Sequence, residues 1–514
     1  MSDLFYHVAG VQSLLSNNQA LVTDPMFGLR GLPVDPTSGT FHTFLAFAAR
    51  LAGLDGFHAF EWLEPVVVAV YFIAFFAFAR RLLPGAGQAF VALLLFAAVI
   101  WSLDFRVVIY PKWLDPAVYW MGLVLFLAYL EKRYLPALAL ATIFAATTAL
   151  VHLATAELWG FTMIAAVGWA LLLHRRLPDG RGLLARTGIG ALVSLVPLIL
   201  IVWRRSSSVL LSASTSVFNP PANSPMSDLP FVSIGKGFGI IRGGTFHQWY
   251  QGGDAMLLFV VAALGVLLYK SLSREADART LLVGAAASIM PVLMLNLVWT
   301  NLIVTKYWFH LRRMAYVLRF VPALLLPYVA GVAVQELRGR RLLGVLLVFA
   351  LLSGSIAFAG VEVIGAFNRF VNPLSLDNFG RQRHNAVRKM SGVTEYLKRR
   401  AAPGVTVAAQ EKTSYYLAAL VPARVIAVRR PHMPLAVEVR EGPRRRHDQS
   451  QIFNERVTPG KTRRLLRLYR ARYVLASRKD RALDKFERMG LRVVFSDESF
   501  FVLSVPPADR EAGA

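Results

Sequence analysis

The chain has 514 residues, 55% of them hydrophobic, with 34 Phe, only 17% charged and a mean hydropathy of +0.48, a balance too apolar for a soluble enzyme of this length. The absence of cysteine excludes disulfides, Cys-ligated zinc, iron–sulfur clusters and thiol nucleophiles. The formal net charge is +25, and residues 367–514 hold +16 of it, from 30 Lys/Arg against 14 Asp/Glu.

Three regions follow in chain order. Residues 1–63 are a polar segment bearing carboxylates and histidines. Residues 64–366 carry a ladder of apolar runs, each near the roughly 20 residues that cross a bilayer as a helix. About ten such spans are expected, over 64–82, 87–103, 114–130, 134–151, 155–173, 187–203, 254–270, 280–303, 315–335 and 342–366. Residues 367–514 are a basic, mixed tail. The predicted fold is an α-helical polytopic membrane protein with a C-terminal α/β domain.

Tight basic clusters mark alternate connections: Arg80-Arg81, Lys132-Arg133, Arg175-Arg176 with Arg181 and Arg186, Lys270 with Arg274 and Arg279, and Arg338 with Arg340-Arg341. The positive-inside rule places them in the cytoplasm of a plasma-membrane protein and residues 1–63 and the tail outside. An extracytoplasmic N-terminal segment needs something to carry it across, yet no leader precedes it. A first transmembrane helix upstream of Ser2 is therefore expected. Insertion of 64–82 as a reverse anchor is the alternative.

In the tail, helical patterns are expected over 387–401, 412–420, 460–470 and 479–489, and strands over 405–409, 424–428, 473–476, 491–496 and 500–505. Their alternation predicts a mostly parallel sheet with an antiparallel edge. Residues 429–458 read as a long loop with Arg444-Arg445-Arg446 at its tip. No glycine-rich phosphate loop follows a strand, and no nucleic-acid fold signature accompanies the charge. The basic surface suits anionic lipid headgroups, lipid phosphates or an acidic envelope polymer, or serves only to keep the domain soluble.

The run Ser2-Asp3-Leu4-Phe5-Tyr6-His7, then Thr23-Asp24-Pro25, then Pro36-Thr37-Ser38-Gly39-Thr40-Phe41-His42, leading into a string of apolar helices, resembles the first extracytoplasmic loop of GT-C glycosyltransferases that use polyprenyl-phosphate sugars. The tail resembles the soluble domain that many bacterial members carry. The resemblance implies an active-site acidic residue just after the first helix, and Asp3 is the matching position. It also implies a second acidic residue in the loop after the second expected span, where Asp104 stands. One departure is that the helix due immediately before Asp3 is absent.

Side-chain chemistry fits those roles. On a helix, Asp3 and His7 share a face at i,i+4, and Asp3 could act as the base for an acceptor hydroxyl; equally, Asp3 could be a helix N-cap and His7 a surface residue. Lys306, Arg312 and Arg313 lie at the outer end of one span, with Arg319 inside the next. They could clamp a lipid phosphate, while snorkelling of Arg319 and an interfacial belt of Tyr307, Trp308 and Phe309 explain the same residues. Asp115, before Pro116, could start a helix; His152 and Glu157 flank an outer turn; the loop 204–253 is long enough to form a lid. No protein-built metal site is readable, although a divalent ion held by Asp3 and donor phosphate stays open. The expected function is transfer of a sugar from a polyprenyl-phosphate donor to a glycan, lipid or protein acceptor of the envelope. A catalytically silent lipid-binding or scaffold protein of the same fold is the alternative, and a transporter the third reading.

Overall fold

A computed structural model describes residues 4–17, 26–27, 36–104, 111–151, 153–175, 177, 179–205, 253–272, 277–294, 320–336, 344–354, 373–429, 437 and 441–506. The chain divides into two compact units: residues 1–64, 108–110 and 374–514 form one, and residues 65–107 with 111–373 the other.

In the second unit lie most of α3 (Gly56–Leu82), then α4 (Ala86–Asp104), α5 (Pro111–Lys132), α6 (Leu135–Val151), α7 (Leu153–Leu173), α8 (Gly180–Arg205), α9 (Gly253–Leu272), α10 (Ala278–Met294), α11 (Phe320–Glu336) and α12 (Gly344–Gly354). Four stretches are long and apolar enough to cross a membrane: Gly56–Leu82, Leu114–Lys132, Thr155–Leu173 and Gly180–Ile201. The other six apolar helical stretches run 10–17 residues among the described residues, so the expected count of about ten full spans is matched only in part. Trp120 is the hub of the packing, with the Phe75, Phe96 and Phe320 rings 5.3, 5.5 and 5.7 Å away. Indole N–H groups find hydroxyls across helices, Trp169 to Ser288 at 2.9 Å and Trp159 to Ser194 at 3.3 Å, as buried indoles require. Among the described residues, Arg81, Arg133, Arg186 and Arg279 of four basic clusters meet at one end of this unit through two carboxylates. Glu131 pairs with Arg81 and, at 3.2 Å, with Arg279; Asp179 pairs with Arg133 at 3.4 Å and Arg186 at 2.7 Å.

The first unit begins with α1 (Leu4–Asn17) and α2 (Pro36–Leu51). Helix α2 stops because Gly53 adopts φ +67° and the Leu54 amide returns to the Ala49 carbonyl at 2.8 Å, a left-handed glycine stop. Two residues on, the Asp55 carboxylate accepts the Phe57 and His58 amides at 3.0 and 2.9 Å and caps α3. Helix α3 thus starts eight residues before the expected span, taking in Glu61 and Glu64.

The C-terminal domain holds α13 (Pro373–Arg400), β1 (Thr406–Ala409), α14 (Glu411–Leu420), β2 (Arg424–Val425), α15 (Gly442–Ile452), α16 (Pro459–Leu468), β3 (Ala471–Ser477), α17 (Leu483–Arg488), β4 (Arg492–Ser496) and β5 (Phe500–Ser504). The sheet order is β2-β1-β3-β5-β4. Strands β2, β1 and β3 run parallel, and β5 and β4 complete the sheet antiparallel, as the alternating pattern predicts. Ile426, Ile452, Leu466, Val474, Phe486 and Leu503 are buried in its core.

One expectation fails. Within the loop predicted over 429–458, residues Gly442–Ile452 form α15, with Pro443 in its first turn. Arg445 is no charged tip. It is 6% exposed, donates to Glu441 at 2.8 Å and to the Ile426 carbonyl at 3.0 Å, and lies over the Phe27 and Tyr469 rings. A buried guanidinium must be satisfied in this way.

Candidate functional site

Of the residues assigned to sugar transfer or lipid-phosphate binding from the sequence, His7 is the one whose side-chain surroundings lie among the described residues. It sits on the first turn of α1, and its Nδ1 lies 2.9 Å from Nε2 of His42 on α2, a buried contact. His42 is fully buried and His7 nearly so. Phe41 stands edge-on to the His7 ring at 5.7 Å and is backed by Phe60 of α3 at 6.4 Å. Burial, with the neighbouring His7 adding to it, holds the His42 imidazole well below its ordinary value near 6.5. His42 is therefore neutral at pH 7, and one ring donates to the other.

Gly10 makes this approach feasible. A Cβ there would stand 2.5 Å from Nδ1 and 2.6 Å from Cε1 of His42, closer than any carbon contact tolerates. The α1–α2 pair is fixed to its surroundings as well. The Gln12 carboxamide oxygen accepts the Gly56 amide at 3.0 Å, and α1 packs on α14 of the C-terminal domain. The Val425 amide of β2 donates to the Met26 carbonyl at 2.8 Å, and Lys398 of α13 pairs with Asp55 at 3.3 Å. The Lys398 and His58 contacts outweigh partial burial and leave the Asp55 carboxyl below its usual range.

Asp3, Lys306, Arg312, Arg313 and Arg319 lie outside the described residues, as do His152 and residues 206–252. Asp104 is the last residue of α4, and its side chain is likewise outside them. Asp115 does not open a helix, since α5 already starts at Pro111; it is fully buried, beside the Thr155 hydroxyl of α7. Glu157 is half-buried on α7. Among the described residues no three His, Asp or Glu side chains gather as a metal-binding group.

Nothing in the sequence marks His42 as the partner of His7. The motif containing it was visible, but a contact between residues 35 apart has no local spacing to reveal it.

No family profile matches the chain, and no curated protein sequence does. Among solved structures, it is similar to the Archaeoglobus fulgidus oligosaccharyltransferase tethered with an acceptor peptide, at 13% identity and a TM-score of 0.50 over 92% of this chain and 64% of that one. The chain thus spans less than two thirds of that enzyme's length. It is also similar to ArnT from Cupriavidus metallidurans bound to undecaprenyl phosphate, at 16% identity and a TM-score of 0.42 over 99% and 95% of the two chains. At this identity the likeness is one of fold: this membrane protein shares the fold of that archaeal oligosaccharyltransferase.

Proposed function

We propose that the chain is a glycosyltransferase that moves a sugar from a polyprenyl-phosphate donor to an envelope acceptor at the extracytoplasmic face. The observation that supports this most is the placement of His7. Helix α1 carries it on its first turn and locks it against His42 in a chain that shares the fold of the archaeal oligosaccharyltransferase. One turn earlier in sequence, Asp3 would project from the same face and act as the base.

In the reaction, the acceptor hydroxyl attacks the anomeric carbon, its proton passes to the Asp3 carboxylate, and the bond from that carbon to the phosphate oxygen breaks. The polyprenyl phosphate leaves with the electron pair. Lys306, Arg312, Arg313 and Arg319 would stabilise the charge that develops there. The buried contact between His7 and His42 orients the first turn of α1. The N-terminal segment and the C-terminal domain belong to one compact unit, which supports placing both on the same side of the membrane. The gathering of four of the basic connections at one end of the helical unit supports the cytoplasm as the side opposite.

The test is sugar transfer from a panel of polyprenyl-phosphate donors by the full chain in proteoliposomes, alongside donor binding. Asp3→Asn should keep donor binding and lower turnover about 10²-fold or more. Arg319→Ala should weaken donor binding, since truncating one member of a desolvated charge pair costs about 2–5 kcal/mol. Full activity in Asp3→Asn would remove the base from the mechanism. Donor binding without transfer by the wild type, across the whole panel, would favour a silent lipid-binding protein.

A further inference from the structure

We propose that the N-terminal edge of the parallel strands in the C-terminal domain is a binding pocket for an anionic sugar unit, one that carries a phosphate or a carboxylate. The pocket encloses about 400 Å³, within the range of small-molecule sites. Its floor is the turn 402–405 before β1, and its walls come from the starts of β2 and β3 and from the end of α16. Four arginines line it, Arg424, Arg445, Arg470 and Arg472, and no carboxylate is among its lining residues. Two acids bonded to lining residues are engaged, Glu441 by Arg445 and Asp448 by the Tyr469 hydroxyl at 2.7 Å.

The four cations are arranged in depth. Arg445 is buried and held by Glu441 and the Ile426 carbonyl, while Arg424, Arg470 and Arg472 are exposed around the opening. Guanidinium groups match phosphate and carboxylate oxygens with paired hydrogen bonds. Arg470 carries a further sign. It follows the end of α16 with φ +51°, a conformation in which glycine is the unstrained choice. The domain's other described left-handed positions, Gly404 and Gly490, are glycines. An arginine at a position where the backbone favours glycine points to a use for its side chain.

A sugar fits better than a lipid headgroup. Of the large apolar residues exposed among the described residues of this domain, Leu468, Val493 and Val494, only Leu468 borders the pocket, which gives acyl chains no broad exposed apolar surface beside it. The Thr406 hydroxyl and the half-buried Tyr469 ring offer the hydroxyl and stacking partners that a pyranose uses. The pocket contains none of the residues assigned to sugar transfer, so its test stands apart from that reading.

The experiment is calorimetric titration of the full chain, in nanodiscs of zwitterionic lipid, with glucose 1-phosphate, glucuronate, inorganic phosphate and glucose. The expected result is that the two charged sugars bind more tightly than inorganic phosphate, that glucose does not bind, and that affinity falls as salt is raised. The combined variant Arg424→Gln, Arg470→Asn, Arg472→Gln should lose 10-fold or more of that affinity while melting with the wild type, since asparagine tolerates the left-handed backbone. Binding of charged sugars untouched by the variant, or no binding at all, overturns the site. Equal affinity for inorganic phosphate overturns the sugar. Loss of sugar binding when phosphatidylglycerol is added to the nanodiscs reassigns the pocket to a lipid headgroup and also overturns the proposal.

Discussion

Substituting Gly10 by alanine tests the packing that holds His7. The new methyl group would meet the His42 ring at 2.5 Å from Nδ1, 2.6 Å from Cε1 and 2.9 Å from Cγ, about 1 Å inside ordinary contact. His42 is fully buried and hydrogen-bonded to His7, so its ring cannot swing aside. Overpacking of this kind costs about 1–3 kcal/mol, against a gain of about 1 kcal/mol from replacing glycine within a helix. Gly10→Ala should therefore destabilise the protein by up to about 2 kcal/mol. In a His42→Ala background the clash is gone and only the helix gain remains, so the same change should stabilise. His42→Ala alone should cost roughly 3 kcal/mol for the lost ring and hydrogen bond. The assay is thermal unfolding of the four proteins of this cycle in detergent, in which a coupling of about 1–3 kcal/mol moves the midpoint by about 2–4 °C per kcal/mol for a mid-sized domain. Equal destabilisation by Gly10→Ala in both backgrounds would refute the close approach of α1 and α2.

Two further outcomes are expected. Because the buried His42 titrates well below 6.5, the unfolded chain holds one more proton than the folded chain once the pH falls beneath that value. Stability should then be flat above about pH 6.5 and fall by up to about 1.4 kcal/mol per pH unit below it. The depressed Asp55 carboxyl adds its own loss only at more acidic pH, below the usual carboxylate range. Melting curves between pH 4.5 and 7.5 should show the slope in the wild type and lose it in His42→Phe; an unchanged slope in the variant would assign the effect elsewhere. Topology can be read by thiol labelling, because the chain has no cysteine of its own. Ser450→Cys on α15 should react with an impermeant reagent in intact cells and Arg175→Cys should not, and the reverse pattern would invert the orientation. Gly180, in the same connection as Arg175, is unsuitable, since its Cβ would stand 2.3 Å from the His174 carbonyl oxygen.

The helical unit was legible because lipid imposes a blunt requirement: long apolar runs separated by basic turns leave their mark in composition. The sheet was legible for a similar reason, since Val407 to Ala409 and Val474 to Ala476 are buried on both faces and read as continuous small apolar runs. Helix α15 was not legible. Its buried positions are Gly442, Arg445, Gln449 and Ile452, of which only Ile452 is a large apolar residue, and the Gln449 carboxamide oxygen accepts the Ala427 amide at 2.6 Å. A helix that buries polar groups to satisfy neighbouring backbone carries no apolar stripe, so periodicity cannot find it. The His7–His42 contact was hidden for another reason, namely that it depends on how α1 meets α2 and on Gly10 leaving room.

The same limit applies to the independence of the tail. Its composition suggests a separate soluble domain, yet residues from the start of the chain complete it. Met26 and Phe27 are buried. The Met26 carbonyl takes an amide from the two-residue edge strand β2, which would otherwise present that donor to water. The Phe27 ring lies 5.4 Å from the Arg445 guanidinium, covering a charge that is buried only because it is surrounded. Removing residues 1–63 would strip the cover from Arg445 and a partner from β2, and α14 would lose the helix packed on it. The C-terminal domain is therefore part of the frame that orients α1 and, with it, His7. A change in the domain core far from any reacting group should lower the proposed sugar transfer, through displacement of α1 and not through loss of a chemical group.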